Sequence, residues 1–179
     1  MNSINKFAAA VAALALTAAA HAGTGPLPTN FTFSETLTAS TADLLTFELD
    51  GYNSLDGKNF YEDDFSLTVN GEAIFKGTFD LGGGGATQVY FGSSSYFTFV
   101  PGSQKVFFTI PVFSDDGTYK LDFTYTSLSK GSGHAGFQGT GDEAWGLNNV
   151  AVVPEPTSVA LLLAGLGMIG GLARRRRQG

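Results

Sequence analysis

Tyr119-Lys-Leu-Asp-Phe-Thr-Tyr-Thr126 is the stretch that decides the fold. Tyr119, Leu121, Phe123 and Tyr125 fall on one side of an extended chain, and Lys120, Asp122, Thr124 and Thr126 on the other. Successive side chains of a strand point to opposite faces, so this pattern predicts a half-buried strand of an antiparallel sheet. The period recurs on both sides of it. Phe65, Leu67 and Val69 alternate with Ser66, Thr68 and Asn70; Leu45, Phe47 and Leu49 alternate with Leu44, Thr46 and Glu48. Phe31, Phe33 and Leu37 do the same across Thr32, Ser34 and Thr36.

Turn chemistry falls between these runs. Asn70-Gly71 predicts a two-residue hairpin, because both residues tolerate positive φ. Asp116-Gly117 marks a turn before Tyr119, and Gly82 to Gly85 is expected to form a flexible loop after Phe79. No helical period of a dozen residues occurs between Gly23 and Val153. Eight or nine strands, each with one packed face, predict an all-β protein, an antiparallel β-sandwich. A jelly-roll-like topology is preferred over an immunoglobulin-like one.

The two ends have a different character. Lys6 precedes an apolar, alanine-rich run from Phe7 to Ala20, and Ala20-His21-Ala22 supplies an A-x-A cleavage site. Residues 1–22 therefore read as a signal peptide, with Gly23 as the mature N-terminus. At the other end stand Pro154-Glu155-Pro156, an uncharged stretch over 157–173, and Arg174, Arg175, Arg176 and Arg177. The prolines keep the chain extended and accessible. The uncharged stretch gives roughly 25 Å of helix against about 30 Å of hydrocarbon, short for a permanent anchor. By the positive-inside rule the arginines stay cytoplasmic. A span processed after sorting is favoured over a plain single-pass anchor. Residues 23–153 remain as one domain, with Val152 to Thr157 as the linker to the tail.

This tripartite tail, 154–179, resembles the PEP-CTERM sorting signal of Gram-negative bacteria that make extracellular polysaccharide. The resemblance implies recognition by a membrane-embedded exosortase-type processing enzyme, transient or lasting attachment to the membrane, and delivery to the cell surface or extracellular matrix.

Charge narrows what the domain can do. Of the chain's ten Lys and Arg, Lys6 and the four arginines lie outside 23–153; of its sixteen Asp and Glu, only Glu155 does. The domain is left near −10 with no arginine, which disfavours nucleic acid and anionic membrane and suits calcium or neutral polymers. Cysteine is absent, so thiol catalysis, Cys-based zinc sites and disulfides are excluded. His134 is the lone histidine after leader removal and lies in a glycine-rich loop, poorly placed for a base. No Gly-x-Ser-x-Gly elbow occurs. A non-catalytic protein is expected.

Two acidic stretches carry oxygen ligands. The first runs from Asp50 through Asp56 to Glu62, Asp63 and Asp64, with Asn53 and Asn59 between. The second is Gly139-Thr-Gly-Asp142-Glu143-Ala-Trp145-Gly-Leu-Asn148-Asn149-Val150. Asp56, Asp63, Asp64, Asp142, Glu143 and Asn149 are the candidate ligands of a calcium ion, if the two stretches meet. The alternative is a pair of these carboxylates hydrolysing a glycoside. In the second stretch Trp145 and Leu147 are expected on one face, Asn148 and Val150 on the other. Gly-Asp-Glu-x-Trp-Gly-x-Asn-Asn-Val resembles the closing strand of exported jelly-roll domains that precede PEP-CTERM tails and of some carbohydrate-binding families. Those usually have Asp-Asn where this chain has Asn148-Asn149, which removes one charged ligand. Among the aromatics, Tyr52, Tyr61, Tyr90 and Trp145 are the candidate stacking surfaces for sugar rings, while the phenylalanines are expected in the core. The function expected is binding of polysaccharide or other matrix components; a structural matrix protein without a discrete ligand is the further alternative.

Overall fold

Strands form where the sequence alternates and stop where turn residues intervene. The computed structural model describes residues 19–21, 23–39, 42–127, 140–154 and 164–169. In chain order the strands are β1 (Ala19–His21), β2 (Leu27–Pro28), β3 (Phe31–Thr38), β4 (Ala42–Asn53), β5 (Leu55–Asp56), β6 (Asp63–Val69) and β7 (Glu72–Thr78). They continue with β8 (Gly82–Gly84), β9 (Gln88–Phe91), β10 (Phe97–Phe99), β11 (Lys105–Phe113), β12 (Thr118–Ser127) and β13 (Glu143–Pro154). A single 3₁₀ turn occupies Ser94–Tyr96. Several of these strands are only two or three residues long, which is why they exceed the eight or nine expected.

Two antiparallel sheets pack face to face. One runs β1-β13-β4-β11-β10, with β2 also paired to β13; the other runs β3-β12-β6-β7-β9. Leaving out the edge strands β1, β9 and β10 and the β5–β8 pair, β2-β13-β4-β11 faces β3-β12-β6-β7. Strands consecutive in the chain lie in different sheets at every step except β6 to β7, which is the order of a jelly roll.

The core is aromatic and comes from the predicted faces. Tyr119, Leu121, Phe123 and Tyr125 are fully buried, as are Phe65, Leu67, Leu45, Phe47 and Leu49. Phe47 stacks on Phe108 of its own sheet at 4.5 Å and reaches Phe123 and Phe65 of the opposite sheet at 5.1 and 6.0 Å. Offset and edge-on contacts of this kind add about 0.5–1.5 kcal/mol per pair beyond the area buried. On β3, an outer strand, only Leu37 is buried and Phe31 is exposed.

The turns are the predicted ones. Asn70 and Gly71 have φ of 54° and 83° and connect β6 directly to β7, so the hairpin has the primed geometry that suits strand twist. Asp116 Oδ1 accepts from the Thr118 amide at 2.8 Å and the Ser114 hydroxyl at 3.0 Å, closing the β11–β12 turn.

Three expectations fail. Gly82–Gly84 is not a free loop but a short strand running parallel to β5. The linker does not begin at Val152: β13 continues to Pro154, which pairs with Asp43, and Val152 is fully buried. Val150 does not share a face with Asn148. The register of β13 against β4 slips between Asn148 and Ala151, where Asn149 has φ 54°. This bulge inserts an extra residue and returns Val150 to the core beside Trp145 and Leu147.

Residues 164–169, inside the expected apolar span, form a short helix. Among the described residues no helix is long and apolar enough to cross a membrane. The stretch up to residue 18 in the expected signal peptide, Ala22, residues 128–139 with His134, Glu155, Pro156 and Arg174 to Arg177 lie outside the described residues.

Candidate functional site

The two acidic stretches meet at one end of the sandwich. β5 delivers Asp56, β6 begins at Asp63, and β13 begins at Glu143. The Asp56 amide donates to Asp63 Oδ2 at 2.8 Å, which ties the two ends of the 57–62 loop together. Antiparallel pairing of β12 with β6 puts Ser127 opposite Asp63 and Tyr125 opposite Phe65. One carboxylate oxygen from each of Asp56, Asp63 and Glu143 lies within 4.8 Å of the others, and all three residues are buried. Gly83 of β8 covers Asp56 closely: a Cβ there would stand 2.7 Å from the Asp56 carboxyl carbon, so only glycine fits.

Burying three acids together is costly, and their proton affinities show it. Burial first, then Glu143 and Asp56, push the Asp63 carboxyl up to about 7. Asp56 and Glu143 are raised as well, again mainly by burial, against the lowering hydrogen bonds from Asn59 to Asp56 and from Thr29 to Glu143. The Ser127 hydroxyl approaches both Asp63 and Glu143. It does not satisfy Asp63 Oδ1, which is buried without a hydrogen-bond partner, as is the Tyr125 hydroxyl. Tyr125 is fully enclosed, and Asp63, Asp64 and Asp56 all raise its proton affinity beyond what burial does. A buried polar atom left unmatched costs about 1–3 kcal/mol. One of the two unmatched atoms belongs to the cluster, and the other feels the charge of Asp63 and Asp56.

The other candidates go elsewhere. Asp64 follows Asp63 in a strand and so points the opposite way, where it pairs with Lys76 at 3.0 Å. Asp142 accepts from the Ser54 hydroxyl at 2.9 Å and adds negative potential to Asp56 and Glu143 without joining them. Asn149 is exposed on the bulge. Asn148 donates to Asp50, which Lys105 also contacts. Neither Tyr125 nor Ser127 was marked by any sequence motif; only the strand register brings them to the carboxylates.

The aromatic candidates divide by exposure. Trp145 is fully buried, its indole N–H donating to the Pro28 carbonyl at 3.0 Å, so it offers no surface for stacking. Tyr52 is half-buried over Gly146 and lines a shallow depression with Thr24 and Asn148. Tyr61 is 45% exposed and meets Phe60, 50% exposed, edge-on at 5.0 Å. Tyr90 is also exposed, donates its hydroxyl to Glu62, and has the Lys58 and Lys76 ammonium groups 5.7 and 5.9 Å from its ring centre. Lys58 and Glu62 flank Phe60-Tyr61, so these three aromatics belong to one surface. Phe60, in the 57–62 loop, departs from the expected core placement, and so do Phe31, Phe91, Phe99, Phe107 and Phe113, which lie in strands but are exposed.

β13 links this end to the tail. It starts at Glu143 beside the carboxylates and ends at Pro154, the first residue of the Pro-Glu-Pro motif. No curated protein matches the chain by sequence. Residues 152–177 match the PEP-CTERM protein-sorting motif, beginning two residues inside the last strand. The chain is thus a two-sheet β protein carrying a PEP-CTERM sorting motif at residues 152–177, which implies export and exosortase-mediated sorting to the surface.

Proposed function

We propose that the protein is a non-catalytic component of the cell envelope or extracellular matrix that binds neutral polysaccharide through the 57–62 loop. The observation that carries this reading is the exposed group Phe60, Tyr61 and Tyr90 at the end of the sandwich opposite Pro154. Sugar rings stack their C–H faces on exposed aromatic rings, and a domain near −10 without arginine favours an uncharged polymer over an anionic one. The sorting motif supports a surface location, and the position of the aromatics points the binding end away from the tail.

The burial of Asp56, Asp63 and Glu143 supports a non-catalytic role. A glycosidase needs two carboxylates flanking a bond that the substrate can bring between them, and these side chains stand behind the 57–62 loop and β8. Binding of the detergent-solubilised full chain to a panel of neutral and acidic polysaccharides tests the reading. Retention on a neutral polymer is expected, and Phe60→Ala with Tyr61→Ala should weaken it at least about tenfold, the loss of one to two stacking contacts. Absence of binding to every polymer would leave a structural matrix protein without a discrete ligand. Release of reducing ends would favour the hydrolase.

A further inference from the structure

We propose that Asp56, Asp63 and Glu143 hold a calcium ion. Three observations converge. The carboxylate oxygens lie within 4.8 Å of one another, so a central point is at most about 2.8 Å from each, and a small inward shift brings all three to the roughly 2.3–2.6 Å of a Ca–O bond. The donors are all oxygen, from carboxylates with hydroxyls beside them, the set a hard divalent cation takes. Asp63 Oδ1 is completely buried and unmatched, and so is the Tyr125 hydroxyl, which belongs to a different element and is not an acid. A cation among the carboxylates would give Asp63 Oδ1 a partner and offset the negative charge that Asp63 and Asp56 place on Tyr125.

The surroundings favour calcium over its competitors. Carboxylates that bind through one or both oxygens, with Ser127 beside two of them and Thr29 on Glu143, approach the six to eight oxygens that calcium accepts in irregular geometry. Magnesium takes bonds of about 2.0–2.1 Å in a near-ideal octahedron and keeps its waters, for which an enclosed site of this width is ill suited. Zinc prefers nitrogen and sulfur donors, and the chain has no cysteine. Asp56 and Asp63 are the two ends of the 57–62 loop, so the ion would also fix the loop that carries Phe60 and Tyr61. That consequence rests on the glycan reading; the site itself does not.

Terbium, a calcium substitute whose emission is sensitised by nearby aromatic rings, reads the site without any glycan. Trp145 packs 6.0 Å from Tyr125, so both can act as antennae. Titration of the full-length chain in detergent should give sensitised emission saturating at one ion per chain and displaced by calcium. The thermal midpoint should be higher in millimolar calcium than in EDTA, with magnesium giving a smaller rise. Asp63→Asn and Glu143→Gln should each weaken binding at least about tenfold, whereas Asp115→Asn, in an exposed turn, should bind as the parent does. If Asp63→Asn does not fold, Glu143→Gln decides alone. The assignment is overturned by a parent chain with neither sensitised emission nor a calcium-dependent midpoint. Unchanged affinity in the folded variants would also overturn it, as would an equal shift in magnesium.

Discussion

Asp63 concentrates the cost of the site in one side chain. Its carboxyl stands at about 7 in the folded chain against an ordinary 3.8, because burial and the facing Glu143 and Asp56 penalise its charge more than the Asp56 amide and Ser127 relieve it. The folded state therefore binds this proton more tightly than the unfolded state does. Its contribution is complete below about pH 4 and is lost as pH rises through about 7. In EDTA the chain should melt at a higher temperature at pH 5 than at pH 8, and Asp63→Asn should flatten that dependence. A scan of midpoint against pH for both proteins checks it. The sequence displays Glu62, Asp63 and Asp64 as an undivided acidic run. Once β6 starts at Asp63, alternation sends Asp63 to the carboxylates and Asp64 to Lys76. That one-residue decision is not legible without the strand boundary, and Tyr125 is indistinguishable from any core aromatic until its neighbours are known.

Strands with uninterrupted alternation were legible almost residue by residue. β4, β6 and β12 bury the faces their patterns predict, because a one-residue slip would turn every phenylalanine to solvent. β13 was not, because its alternation is broken by a residue that pairs with nothing. Asn149 at φ 54° lies in the left-handed region, which asparagine and glycine tolerate and β-branched residues do not. Asn149→Gly should leave stability nearly unchanged, whereas Asn149→Val should cost about 1–2 kcal/mol, the penalty of forcing a branched side chain into that conformation. Denaturant unfolding of the two variants separates the outcomes. Equal stability of both would mean that the bulge does not confine Asn149.

The described β domain is a jelly roll with the 57–62 loop at one end and Pro154 at the other. Local pattern announced a sandwich and the sorting motif that follows it. The preference for jelly-roll over immunoglobulin-like order could not be derived from local pattern, because that order depends on which distant strands become neighbours. The sorting reading has its own test: intact-mass measurement of protein from the native envelope should find a chain that begins at Gly23 and has lost Arg174 to Arg177. A mature species still ending in the arginines would indicate a retained anchor. The exit of the tail has a mechanical consequence. Pro154 is paired with Asp43 in the sheet and Val152 is in the core, so the sheet holds the chain up to the first residue of the Pro-Glu-Pro motif. Glu143 and Pro154 are roughly 35 Å apart at about 3.3 Å per residue. If the far loops grip a polymer while the tail is held, tension runs along β13. Its bonds to β4 lie across that pull and share it in shear, instead of parting one after another like a zip. A domain loaded in that direction gains its resistance from the full length of the β13–β4 ladder.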